Sequence, residues 1–391
     1  MKTTKCLIIL GMSLILVISL LAGACAPAAP TGDEGAAEIA KLEDELADEK
    51  ANVKSLEGDI DDLEDDIAAL QEPAKVYRWE PATWAGAGAP WDFLVYMAEY
   101  LNETSNGRIV MTPSQPGSVC PVEEQIEAVA AGTTQAMMPT PSYYGGKFTL
   151  AAVYNAGIGI DTSEDLQIAY EVFENGRMRD LYWEALSDLY NVETAGNRYA
   201  PCPAVAVSSV PIVDSSTYEG MIFRCGDDHI SGPLATLGAS TAWVPWSEIY
   251  TAVSTGVVDA AIAGTAYDML TMGFQDVAPY WLKSPAMCTV ANEQFVINAD
   301  VWNEMPDDLK ELVDMAMRAS MNINNAESMI FIDESWATLA DAGVEIIEWD
   351  ANSQKAWLDA RMGWLLAYED DPGAMEFIDL MKKYWKLKGY L

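Results

Sequence analysis

One histidine, six cysteines, and 22 lysines and arginines against 60 aspartates and glutamates are the scarcities of this 391-residue chain. Each excludes something. A formal net charge of −38 argues against nucleic acid and anionic lipid surfaces as partners, because phosphate is repelled over the whole exterior. The lone His229 removes the usual general base and the imidazole of a nucleophilic triad. There is no Cys-x-x-Cys pair and no His-containing cluster to suggest zinc. Gly-x-Gly-x-x-Gly, Walker and Gly-x-Ser-x-Gly motifs are absent. Carboxylates are so abundant that no single pair marks acid–base chemistry, so an enzyme has no support in the residues.

Material for a core is plentiful, with half the residues apolar and 13 tryptophans. The length exceeds one compact core and suggests two packed domains plus extensions. MKTTK followed by CLIILGMSLILVISLLAGAC has the form of an export signal, short for a permanent span. Its Leu-Ala-Gly-Ala-Cys ending resembles a bacterial lipobox, with Ala22 where Leu is more common. The expectation is a signal over 1–25, acylation of Cys25, and a mature protein tethered outside the cytoplasm. The alternative is an uncleaved membrane anchor. Cys120, Cys202, Cys225 and Cys288 remain, an even number that permits disulfides whose pairing spacing does not give. Cys225 also reads as a small buried apolar residue.

Residues 26–72 form an acidic linker and stalk. Ile39, Leu42, Leu46, Val53, Leu56, Ile60, Leu63, Ile67 and Leu70 recur at spacings of three and four, interrupted only by Glu49. The pattern predicts a parallel two-stranded coiled coil and hence a homodimer through residues 39–70. The other reading is a single acidic spacer helix, since flanking carboxylates repel between strands.

The globular part, 73–391, alternates short apolar runs (RIVMT, PAVAVSS, GMIFR, STAWV, QFVIN) with helical ones (WDFLVYMAEYLNETSNG, VEEQIEAVAAG, WSEIYTAVSTG). That alternation predicts an α/β fold with largely parallel sheets, and a chain almost wholly helical from Pro306 to the end.

YEGMIFRCGDDHISGPLATLGASTAWVPWSEIYTAVSTGVVDAA resembles the signature of the solute receptors of tripartite ATP-independent periplasmic (TRAP) transporters. The matching residues are Gly220, Arg224, Leu237, Gly238, Ala239, Pro245, Glu248, Tyr250, Ala252, Gly256 and Asp259. The likeness extends over about 300 residues, as ordered matches; SYYGGK (142–147) and MGFQDVAPYW (272–281) are closest to the branch that binds 2-oxo acids and related carboxylates. The resemblance implies two interleaved α/β lobes of periplasmic-binding-protein type, joined by crossing strands and a long helix, with a ligand enclosed between them. It also implies that Arg224 holds the ligand's carboxylate and that a separate TRAP permease receives the ligand. Arginine suits this role, since its planar fork matches a carboxylate and stays charged. Without the resemblance, Arg224 reads as a strand-end charge paired to one of many acids.

The chain departs from the family after Asp259. Ala-Ala-Ile262-Ala263-Gly264 stands where Glu with Trp, Asn or Gln is common, and APCPAVAVSS offers no carboxamide upstream. These departures remove ligands for a bridging metal, so no metal or other cofactor is expected, and they point to an acid with an apolar or aromatic remainder. Trp84 and the pair Tyr143 and Tyr144 stand where such receptors contribute pocket residues, although core packing explains each ring as well. Trp243 is open between the two roles, Trp246 reads as packing, and His229 as an exposed turn residue. The same lobes coupled to a sensory partner, and an extracellular hydrolase, are the competing functions.

Overall fold

A computed structural model describes residues 33–71, 75–160, 162–202, 204–287 and 289–391. The expected signal, Cys25, Pro73 and Cys288 lie outside the described residues. Two compact units divide the chain after Ala74.

In the first unit, Asp33–Gln71 is one 39-residue helix, about 58 Å long at 1.5 Å per residue. Ile39, Leu42, Leu56 and Leu63 are all more than half exposed on it.

The second unit carries eleven strands: β1 (Tyr77–Trp79), β2 (Ile109–Met111), β3 (Ala136–Met137), β4 (Val192–Cys202), β5 (Val205–Ser208), β6 (Ile222–Cys225), β7 (Ser240–Trp243), β8 (Ala260–Ala263), β9 (Tyr280–Lys283), β10 (Thr289–Asn298) and β11 (Glu345–Glu348). One lobe packs β1, β2, β3 and the helices Ala89–Thr104, Arg177–Leu189 and Met375–Lys388 around Trp79, Phe93, Tyr154, Tyr182 and Trp385. The other is built on the six-stranded sheet β11-β9-β5-β8-β6-β7, with Phe223, Ile262 and Trp357 on one side and Val207, Ala261 and Trp281 on the other. All four residues of β8, Ala-Ala-Ile-Ala, are buried, as expected of a strand covered on both faces.

Three segments cross between the lobes. β4 carries the chain out of the first lobe and β10 brings it back, antiparallel along their length apart from a bulge at Phe295/Val296. The 35-residue helix Asp307–Asp341 starts after Pro306, has Asp307 and Asp308 in its first turn, and buries Leu309 to Met321 in the first core and Leu339 in the second. Acids at a helix N-terminus are favoured by its dipole.

The sheets are mixed where largely parallel ones were expected. β5 runs antiparallel to both β8 and β9, because the chain enters this lobe on β4 and must turn at once into the sheet. The C-terminal segment is almost wholly helical, with one strand in it: β11 pairs parallel with β9 at the sheet edge. Its four residues are too short a period-two signal to stand out between long helices.

Among the described residues no helix is long and apolar enough to cross a membrane. Cys120 and Cys225 are free thiols. Cys225 is 2% exposed, and burial pushes its thiol up to about 12, against the pull of Arg224.

Candidate functional site

β6 places Arg224 opposite Ala242 of β7 and Ala261 of β8. These small neighbours leave room for a guanidinium to leave the sheet end. The side chain is 2% exposed, and its Nε donates to the Val244 carbonyl at 2.8 Å. Gly226 gives the other two nitrogens their space, since a Cβ there would lie 2.6 Å from Nη2. Among the described residues no carboxylate lies within 4.0 Å of Arg224. A buried cation without a counter-ion is costly.

Arg224 opens on a cavity of about 80 Å³ between the lobes, lined by Trp84, Thr140, Ser142, Tyr143 and Asn155 from one side and Arg224, Asp227, His229, Trp246, Ile262 and Ala263 from the other, with Glu293 on β10 between them. Tyr143 comes from the turn Pro141–Tyr144. Burial raises its phenol pKa, and hydrogen bonds with Arg224 and the Trp246 backbone partly offset this. Trp84 stands edge-on to Trp246, 4.6 Å between ring centroids, and both indoles line the cavity. The Trp84 Nε1 donates to Glu293 Oε1 at 3.1 Å. The other Glu293 oxygen accepts from Arg198 Nη1 at 2.8 Å, and the two residues are register partners on the crossing strands.

The cavity thus gathers Arg224, Tyr143 and Trp84 and leaves two expected residues out. Tyr144 is fully buried in the first core and its hydroxyl accepts from the Ile126 amide at 2.9 Å; adjacent side chains of a tight turn point apart, so only one of the pair reaches the cleft. Trp243 is 55% exposed and meets Tyr143 edge-on at 5.9 Å, outside the cavity lining. Trp246 both packs and lines.

His229 is corrected as well. It lies in the first turn of the helix Asp228–Thr236, 4% exposed, on the cavity wall. Burial pushes its pKa down to about 4, against Asp227 and with Arg361, so it is neutral at pH 7. The expected apolar lining holds for the β8 residues Ile262 and Ala263 and fails elsewhere, where Asn155, Asp227 and Glu293 contribute polar groups.

Arg198, Glu293 and Asn155 were not legible as site residues. The signal available was a polar run inside each of two long strands, GNR and NEQ, at positions where ordinary strands carry apolar side chains. β8 offers only apolar side chains to the cavity, and among the described residues no group of three His, Cys, Asp or Glu side chains is placed to hold an ion.

Comparison with known proteins agrees with this architecture. Residues 91–363 match the model for bacterial extracellular solute-binding proteins, family 7 (DctP), and the chain belongs to that family. The solved structures it superposes on include TRAP periplasmic solute-binding proteins. The monocarboxylate 2-oxoacid-binding periplasmic protein of Nostoc sp. is 23% identical over 60% of this chain, which spans 64% of that relative's length. The C4-dicarboxylate-binding periplasmic protein of Rhodobacter capsulatus is 21% identical over 74% of this chain and 85% of its own. A TRAP periplasmic solute-binding protein from Pseudoalteromonas atlantica, with bound sodium and pyruvate, superposes with a TM-score of 0.70 at 21% identity, covering 81% of this chain and 96% of that one.

Proposed function

We propose that the protein is an extracytoplasmic, lipid-anchored receptor that captures a small monocarboxylic acid between its lobes and delivers it to a TRAP membrane permease. The observation that carries this reading is Arg224, a buried guanidinium with no carboxylate partner among the described residues, facing an interlobe cavity. Its guanidinium grips the acid together with the Tyr143 hydroxyl, to which Arg224 is hydrogen-bonded. Trp84 and Trp246 supply flat walls for the remainder of the ligand, and Trp243 covers the back of the Tyr143 ring. The acid names of the Nostoc and Rhodobacter relatives are consistent with such a ligand. Native mass spectrometry of freshly purified protein should reveal a bound small acid that is released on denaturation; a ligand without a carboxyl group would overturn the reading.

The tether is Cys25. Cys25→Ser should release the mature protein from membranes or leave its signal uncleaved, measured by membrane fractionation. Continued membrane association with trimming after residue 24 would rule out acylation there.

The exposed seam of Asp33–Gln71 supports pairing of two chains through residues 39–70. Light scattering on protein beginning at Cys25 should then report a dimer, and protein beginning at Pro73 should lose that association. Identical assembly for both forms would leave the helix as a monomeric spacer.

A further inference from the structure

Asp268 belongs to the short helix Ala266–Thr271, whose Ala266 and Met269 are buried in the core of the second lobe. It is 4% exposed and stands outside the cavity lining. Its Oδ2 accepts from the Thr265 amide and hydroxyl, both at 2.8 Å, and so completes a capping box on its own helix. Its Oδ1 accepts from the Ala89 amide at 3.0 Å. Ala89 opens the first-lobe helix Ala89–Thr104, and Gly88 before it has no side chain with which to cap that helix. One carboxylate therefore caps a helix in each lobe, and its charge suits the positive end of Ala89–Thr104. Two glycines make the room: a Cβ on Gly88 would lie 2.3 Å from Oδ1, and one on Gly264 would lie 2.8 Å from Oδ2. The neighbouring Tyr267 repeats the link, since its hydroxyl donates to Asp92 Oδ2 at 3.1 Å and joins the same two helices.

We infer that Asp268 is a positioning residue for ligand capture: it holds the two lobes at the spacing that encloses the acid, and sets affinity without touching the ligand. This rests on the reading of the interlobe cavity given above. The backbone segments that the carboxylate grips are continuous with the cavity wall. Gly264, just before Thr265, lines the cavity, and so does Trp84, a short way upstream of Ala89. When such walls are not held together, only part of the population is competent to bind, and the apparent affinity falls by that fraction. Three donors converge on Asp268 from the two lobes, and a carboxylate, with about four lone-pair sites, accepts all of them. An asparagine has one oxygen. It serves the donors of one lobe and turns its own N–H groups on those of the other.

Calorimetric titration of the full-length protein, well below its melting temperature, tests this with pyruvate and with any acid that native mass spectrometry finds in the fresh protein. Asp268→Asn should bind about tenfold more weakly, and Tyr267→Phe, a milder change on the same pair of helices, about threefold. Gly88→Ala and Asp268→Ala should each weaken binding. In the double variant the Cβ no longer meets a carboxylate, so the losses should combine to less than their sum. A side chain that only stabilised the fold would lower Tm and leave the affinity of the folded protein unchanged. Affinity within about twofold of wild type in folded Asp268→Asn, or fully additive losses in the double variant, overturns the inference and leaves Arg224 as the acid holder. Should Asp268→Asn fail to fold, Tyr267→Phe decides in its place, and wild-type affinity there overturns the inference. No binding of pyruvate by the wild type, with no acid in its native cleft, overturns the acid-receptor reading itself and this inference with it.

Discussion

Arg224→Ala should leave a folded protein that binds its acid about a hundredfold more weakly, or worse, in calorimetric titration. The guanidinium donates through Nε to the Val244 carbonyl and is hydrogen-bonded to Tyr143, so it meets the ligand already oriented. Each charge-assisted hydrogen bond is worth roughly 1.5 to 3 kcal/mol, and the truncated site would also bury the ligand's carboxylate without a partner. At about 1.4 kcal/mol per factor of ten, two lost contacts reach two orders of magnitude. Arg224→Lys should recover only part, because an ammonium keeps the charge and loses the fork. Folding should be spared in both, since Arg224 stands at the sheet end beside Gly226 and no ion pair of the described structure depends on it. Near-wild-type affinity in folded Arg224→Ala would make Arg224 an ordinary strand-end charge.

The second large effect concerns stability. Arg198 and Glu293 are both almost fully buried and face each other across the crossing strands. Arg198 also donates twice to Asn324 Oδ1, at 3.2 and 3.0 Å, and Asn324 in turn donates to the Ala89 carbonyl at 3.0 Å. One network therefore ties both crossing strands, the long helix Asp307–Asp341 and the start of Ala89–Thr104. Arg198→Met should cost about 3 to 5 kcal/mol, because it leaves Glu293 as an uncompensated buried charge. A fall of roughly 10 °C in Tm is the corresponding signal. The double variant Arg198→Met, Glu293→Leu should recover much of that loss, since a buried pair replaced by apolar groups of similar volume is often nearly neutral. A single variant within about 1 kcal/mol of wild type would mean that water or backbone movement already relieves the charge.

Local chemistry carried a good deal of this protein. The three- and four-residue spacing of Ile39 to Leu70 set one long helix, because a 3.6-residue turn brings those side chains to one stripe. GMIFR and the glycine after Cys225 marked a strand that ends beside Arg224. The family was legible from ordered motifs spread over the globular part, since turns and strand ends keep their residue types when the core between them drifts.

What tertiary structure alone decided is which side chains share the cleft. Tyr143 and Tyr144 are indistinguishable in sequence, yet one turn sends the first to Arg224 and the second into the core against Ile126. His229 follows two aspartates and reads as exposed; the packing of the helix Asp228–Thr236 buries it on the cavity wall. Glu293 lies 95 residues from Arg198 and becomes both its ion-pair partner and a cavity residue only because β4 and β10 cross side by side in one register. The parallel expectation for the sheets failed for the same reason: strand direction is set by where the chain enters a lobe, not by the strand's own residues. Sequence determines each element through short-range propensity and period. Charge pairing, burial and the cavity depend on contacts between residues far apart in the chain, and these exist only once the lobes have folded against each other.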